Sequence, residues 1–127
     1  MKKEPKFYLC KHCGNLVTFV YESGAPLTCC GDLMTEVVAN TVDAAKEKHI
    51  PVVTIEGDTV TVAIGSVEHP MLPEHHIQWV YLETDKGLQV KALSAGDKPL
   101  AVFKLADEKA IAAYEYCNLH GLWKTQI

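Results

Sequence analysis

From residue 51 onward the chain reads in short runs of alternating or β-branched apolar residues. Positions 52–55 and 60–64 flank a Glu56-Gly57-Asp58 turn, and further runs occupy 77–82, 88–93 and 101–105. A period of two predicts strands with one buried face. Asp85-Lys86-Gly87 and Ala95-Gly96-Asp97-Lys98-Pro99 supply turn chemistry between successive strands, which favours an antiparallel meander or sandwich over βαβ units. Upstream, Thr41-Val42-Asp43-Ala44-Ala45-Lys46-Glu47-Lys48 predicts at most one or two helical turns behind a Thr or Asp cap, with Pro51 preventing more. Residues 107–116 begin with a capping aspartate and are rich in alanine, which predicts a helical turn leading into a last strand at 122–125. The fold class is therefore all-β.

The first 37 residues have a different texture. All but one of the cysteines lie there, interleaved with short apolar runs such as Phe7-Tyr8-Leu9 and 16–21. So short a segment buries too little apolar surface to fold unaided, so a bound metal would supply part of its folding free energy. The expected organisation is a metal-stapled module over residues 1–37 and a β domain over 38–127.

Composition narrows the function. Of the 127 residues 48% are hydrophobic and 22% charged, as in a packed globular protein. A net charge of -4 and a pI near 5.8 lack the basic excess that binds phosphate backbones, so nucleic acid is excluded as the expected partner. No stretch is apolar enough for a membrane span, and Met-Lys-Lys-Glu-Pro-Lys leads into no apolar signal segment, so the chain reads as cytoplasmic. In that reducing compartment five cysteines are expected as ligands or catalytic thiols, not disulfides.

Cys10-Lys11-His12-Cys13 is a C-x-x-C knuckle whose tight turn aims both sulfurs at one ion, with Gly14 easing the turn. The adjacent Cys29 and Cys30, followed by Gly31, complete four soft donors for a tetrahedral site. A redox couple, a vicinal disulfide or plain buried thiols are the competing readings. The ligands alone leave iron and zinc open, and His12 is expected on the surface.

Four more histidines fall at informative places: His49 before Ile50-Pro51, His69 before Pro70, His75 after Pro73-Glu74, and His120 in Cys117-Asn118-Leu119-His120. The proline-pinned loop Glu68-His69-Pro70-Met71-Leu72-Pro73-Glu74-His75 has little backbone freedom and can hold imidazoles in fixed directions. Cys117-x-x-His120 places a thiolate and an imidazole on one turn, whose backbone N–H groups can tune the sulfur.

Taken in order, Cys10, Cys13, Cys29 and Cys30, then Glu47-Lys48-His49-Ile50-Pro51, His69-Pro70-Met71, His75 and Cys117-Asn118-Leu119-His120 resemble desulfoferrodoxin, the two-iron form of superoxide reductase, over essentially the whole chain. The resemblance implies a desulforedoxin-like module with iron on four cysteines, followed by an immunoglobulin-like antiparallel β-sandwich with a second iron. It implies His49, His69, His75 and His120 as equatorial ligands of that iron and Cys117 as its axial thiolate, with the opposite position free for superoxide. It assigns Lys48 to attracting the anion and Glu47 to closing the free position in the oxidised resting state. It further implies reduction of superoxide to hydrogen peroxide, a small electron donor such as rubredoxin, and a homodimer. His76 stands where the family often has an aromatic residue. His75 is kept as the ligand because its spacing from His69 matches the family's loop, and because alternation from His76 onward points the two side chains apart. Readings from other classes are a non-enzymatic electron carrier and a zinc-stabilised binding module, and a dismutase is the chemical neighbour.

Overall fold

The computed structural model describes residues 4–127, so Met1-Lys2-Lys3 of the expected N-terminal reading lies outside it. The chain divides into two compact units, the first ending at Val38 and the second spanning Ala39–Ile127.

The first unit is built from very short strands: β1 (Phe7–Leu9), β2 (Leu16–Thr18), β3 (Thr28–Cys29), β4 (Asp32–Leu33) and β5 (Thr35–Val37). One antiparallel sheet has the order β2-β1-β5, and β3 with β4 forms a separate hairpin. Strands of two or three residues close few ladder bonds and leave the connecting loops, which carry the cysteines, as much of the module.

The second unit starts with α1 (Lys46–His49), then β6 (Pro51–Glu56), β7 (Thr59–Ile64), β8 (Ile77–Thr84), β9 (Gly87–Ala92), β10 (Leu100–Lys104), β11 (Ala110–Cys117) and β12 (Gly121–Gln126). Two antiparallel sheets, β10-β7-β6 and β12-β11-β8-β9, make the sandwich. Alternation decides which side chains meet: Val60, Val62 and Ile64 from β7 with Ala101 and Phe103 from β10 face Val80 and Leu82 of β8 and Ala113 of β11. The turn chemistry at 95–99 serves a crossover between sheets, since β9 and β10 belong to different ones.

Two sequence expectations are corrected. The helix near residue 45 is a single turn that begins at Lys46 with Ala45 at its N-cap and no side-chain cap bond, so neither Thr41 nor Asp43 caps it. The stretch 107–116 forms no helix: Asp107 adopts a left-handed φ of 56° in a turn, and from Ala110 the chain pairs with β8 on one side and β12 on the other. Alanine's helix preference is worth only tenths of a kcal/mol per residue against such neighbours, and the two flanking ladders outweigh it. Register shifts at each end of the β11–β8 pairing, the second between Tyr116 and Cys117, re-aim the strand as it reaches the cysteine.

Candidate metal centres

The first donor set sits on two turns. The Gly14 N–H donates to the Cys10 carbonyl (2.9 Å), closing the knuckle, and Gly14 takes a φ of +83° that a side chain would resist. The β3–β4 hairpin presents Cys29 and Cys30 on its tip. Cys13 Sγ lies 3.7 Å from Cys29 Sγ, Cys29 Sγ lies 3.9 Å from Cys30 Sγ, and all four sulfurs fall within 4.8 Å of one another. Donors on a tetrahedron with metal–sulfur bonds of about 2.3 Å stand roughly 3.8 Å apart, so the cluster fits one ion. It does not fit a vicinal disulfide, and all five cysteines are free. The Cys13 backbone N–H holds the Cys10 thiol down at about 6, while hydrogen bonds with neighbouring thiols, led by Cys13, push Cys30 up to about 12. His12 is exposed, its Nε2 2.6 Å from an Asp32 carboxylate oxygen, and stands apart from the sulfurs.

The second set is assembled from three places in the sandwich unit: His49 at the end of α1, His69 and His75 on the β7–β8 loop, and Cys117 at the end of β11 with His120 on the turn into β12. Ligand atoms of His49, His69, His75 and Cys117 lie within 4.8 Å of one another. The His120 ring completes the group, with Nδ1 3.8 Å from Cys117 Sγ. Centroid separations run 4.7 Å from His49 to His69, 4.7 Å to His75, 5.1 Å to His120 and 4.9 Å back to His49, each pair steeply inclined. Four imidazoles thus form a closed ring, with the thiol of Cys117, 0% exposed, at its core side.

Hydrogen bonds select the donor nitrogens. His49 Nδ1 is bonded to the Ala45 carbonyl (2.7 Å) and His69 Nδ1 to the Pro70 carbonyl (2.6 Å), which protonates Nδ1 and leaves each Nε2 as a lone-pair donor. Those two Nε2 atoms stand 3.2 Å apart, close to the roughly 3 Å between neighbouring corners of a site with metal–nitrogen bonds of about 2.0–2.1 Å. The Nε2 of His75 is buried without a hydrogen-bond partner among the described residues, as suits a nitrogen that gives its lone pair to a metal. Burial lowers the pKa of His49, of His69 to about 4, and of His75, so all three are neutral at pH 7 and ready to ligate. Burial pushes the Cys117 thiol up, and the backbone N–H groups of Leu119 and His120 pull the other way by favouring the thiolate.

Glu47 and Lys48 are exposed on α1, close enough for the charge of Glu47 to be felt at His49 and that of Lys48 at His75. His76 turns away from the ring, its Nδ1 bonded to the Leu72 carbonyl (3.0 Å).

Four contributors escaped the sequence reading. Gly65 has no room for a side chain: an added Cβ would overlap the Glu47 carbonyl oxygen and lie 2.6 Å from the Lys48 carbonyl carbon. Trp123 stacks on His49 with centroids 5.0 Å apart and donates its indole N–H to the His120 carbonyl (3.1 Å). Glu115 is fully buried, its carboxyl oxygens lack partners among the described residues, and burial raises it to about 9, so it is a neutral acid two residues before Cys117. Asn118 joins two ligand-bearing loops. A single acid in an otherwise apolar strand was the one available signal, for Glu115.

Four imidazoles ringed beside a buried cysteine in a β-sandwich, with a separate four-cysteine cluster on a small β module, define a two-centre metalloprotein. The chain belongs to the desulfoferrodoxin family, whose profile, described as Desulfoferrodoxin, matches residues 41–126. It is 42% identical over 127 residues to the desulfoferrodoxin of Clostridium acetobutylicum, covering 100% of both chains. Among solved structures it is similar to the superoxide reductase from Treponema pallidum, with a TM-score of 0.82 and 43% identity, covering 98% of this chain and 100% of that one. The one-iron superoxide reductase from Giardia intestinalis matches with a TM-score of 0.57 and 30% identity over 65% of this chain and 98% of that one. Both donor sets of this family are iron centres, and both sets here fit an ion.

Proposed function

We propose that this chain is a superoxide reductase, taking superoxide with one electron and two protons to hydrogen peroxide at the histidine-ringed centre. The observation that carries the reading is the closed ring of four imidazoles beside a buried cysteine, in a family with superoxide reductases among its similar structures. Within it, residues 1–37 serve as the desulforedoxin-like iron module on Cys10, Cys13, Cys29 and Cys30, and residues 38–127 as the catalytic domain on His49, His69, His75, His120 and Cys117.

An iron held by this second set supplies a one-electron couple. The chain's own residues shape the rest. Neutral imidazoles would hold a metal without adding charge, and Cys117, bound as a thiolate, would donate electron density to it from the core side. Lys48, exposed near His75, raises the local concentration of the superoxide anion despite the net charge of -4. Glu47, exposed on α1 beside His49, is the carboxylate we assign to gating access to a metal held by this set. Each turnover consumes an electron, so a small redox protein such as rubredoxin is the donor we favour. Free cysteines committed to ligation suit the cytoplasm. A homodimer is the assembly we favour, by the family resemblance. Among the described residues no helix is long and apolar enough to cross a membrane.

The test is stoichiometry. Reduced, iron-loaded protein freed of excess reductant is mixed anaerobically with limiting superoxide. About one peroxide per superoxide, with matching oxidation of the centre and no dioxygen, is the expected result. Half that yield with dioxygen evolved would make the protein a dismutase, and no reaction would leave an electron carrier. Lys48→Ala should slow the bimolecular step by about 10-fold and flatten its dependence on ionic strength, read by stopped-flow.

A further inference from the structure

We propose that Asn118 is the positioning residue for His75, an imidazole of the ring with no hydrogen bond of its own to orient it. His49 and His69 have their Nδ1 atoms anchored on the Ala45 and Pro70 carbonyls. The His75 ring makes no hydrogen bond among the described residues, and its Nε2 is buried. Its direction therefore depends on the backbone that carries it.

That backbone is a loop closed on itself: the Leu72 N–H donates to the His75 carbonyl (2.9 Å) and the His75 N–H to the Leu72 carbonyl (3.1 Å). These bonds shape the turn without attaching it to anything else. Besides the Gly96 N–H, which donates to the Met71 carbonyl just before the turn (2.9 Å), Asn118 makes the attachment. Its Nδ2 donates to the Glu74 carbonyl (2.9 Å), its Oδ1 accepts from the His76 N–H (2.9 Å), and its own N–H donates to the His76 carbonyl (3.3 Å). Peptide groups on both sides of His75 thus end on one side chain, and that side chain directly follows Cys117. A primary amide offers a donor and an acceptor on one rigid plane. Aspartate keeps the acceptor and sets a carboxylate against the Glu74 carbonyl; alanine keeps neither. The thiolate turn and the His75 loop are thereby held in mutual register.

The proposal rests on the reading of His75 as an iron ligand, and the experiment separates the two. Iron is loaded into both centres, reduced, and chased with excess bipyridine, with the iron kept on the four-cysteine site, counted by its charge-transfer absorption after reoxidation, as the internal reference. Asn118→Ala should release iron from the histidine site about 10- to 100-fold faster than the parent, the usual cost of losing a partner that orients a ligand. Asn118→Asp, nearly the same shape, should do likewise and answers the question if the alanine variant fails to fold. Both should alter the electron paramagnetic resonance of the oxidised centre and leave the four-cysteine spectrum unchanged. In a His75→Ala background, Asn118→Ala should add no further acceleration. Release no faster than the parent's in both Asn118 variants, or the same acceleration with and without His75, overturns the proposal while leaving the ligand reading intact. A parent protein that takes up no iron at the histidine site overturns both.

Discussion

His69 shows how one side chain's surroundings suit it to hold a metal. The residue is 1% exposed, its Nδ1–H donates to the Pro70 carbonyl, and burial holds its pKa at about 4. In the unfolded chain the same group takes a proton near 6.5. Between those values the unfolded state binds protons that the folded state refuses, so the metal-free protein should lose stability as pH falls from 6.5 through about 4, with none of this loss above 6.5. Urea midpoints of the apo-protein across that window check the sign, and His69→Asn should flatten the slope. Gly65 acts by having no side chain. Gly65→Ala would push the backbone of Glu47 and Lys48 outward, costing about 1–3 kcal/mol in overpacking. It should slow reaction with superoxide while the iron content stays at parent level, checked by stopped-flow and metal analysis. The candidate ligands stood out as residue types because few side chains bind soft or borderline metals and their spacing is restrictive. Gly65, Asn118 and Trp123 were not, because each acts through a neighbour distant in sequence.

Among the elements, β7 and β10 were readable because one face of each is buried and the other solvated, which writes a period of two into the chain. Phe103 lies on that buried face at 1% exposure. Phe103→Ala should cost about 3–5 kcal/mol of the sandwich's stability in a denaturant titration and leave the spectrum of the four-cysteine centre unchanged. β11 was misread, since Ala110–Cys117 offers alanines at helical spacing and small side chains carry little pattern. Its state is decided by strands on both flanks, one contributed from Ile77–Thr84, far upstream. The turn of helix at Lys46–His49 was expected in roughly that place, yet its start is set by the packing of Glu47 and Lys48 against Gly65 and by the Val67 N–H donating to the Glu47 carbonyl (2.8 Å), and not by a capping side chain.

For the whole molecule, the two units differ in what holds them. The sandwich has a continuous apolar core between two sheets, whereas the first unit has strands of two or three residues and a metal site in its turns. Removing metal from Cys10, Cys13, Cys29 and Cys30 should therefore open amide exchange across the first unit while strands β7, β8 and β11 stay protected, read by hydrogen–deuterium exchange with and without chelator. A cysteine-bearing module over residues 1–37 ahead of a β domain was the expected organisation, because four of the five cysteines crowd into a segment too short to bury a core of its own. By itself the sequence determined the donor types, their order along the chain and the strand periodicity, since these are local properties of residue chemistry and spacing. Only the tertiary structure decided that His49, His69, His75 and His120 close into one ring beside Cys117, which nitrogens face inward, and that Asn118 ties two of the loops together. Those are relations between segments as many as 71 residues apart, 49 to 120, and a chain acquires them only when burial of the two sheet faces brings its loops to the same end.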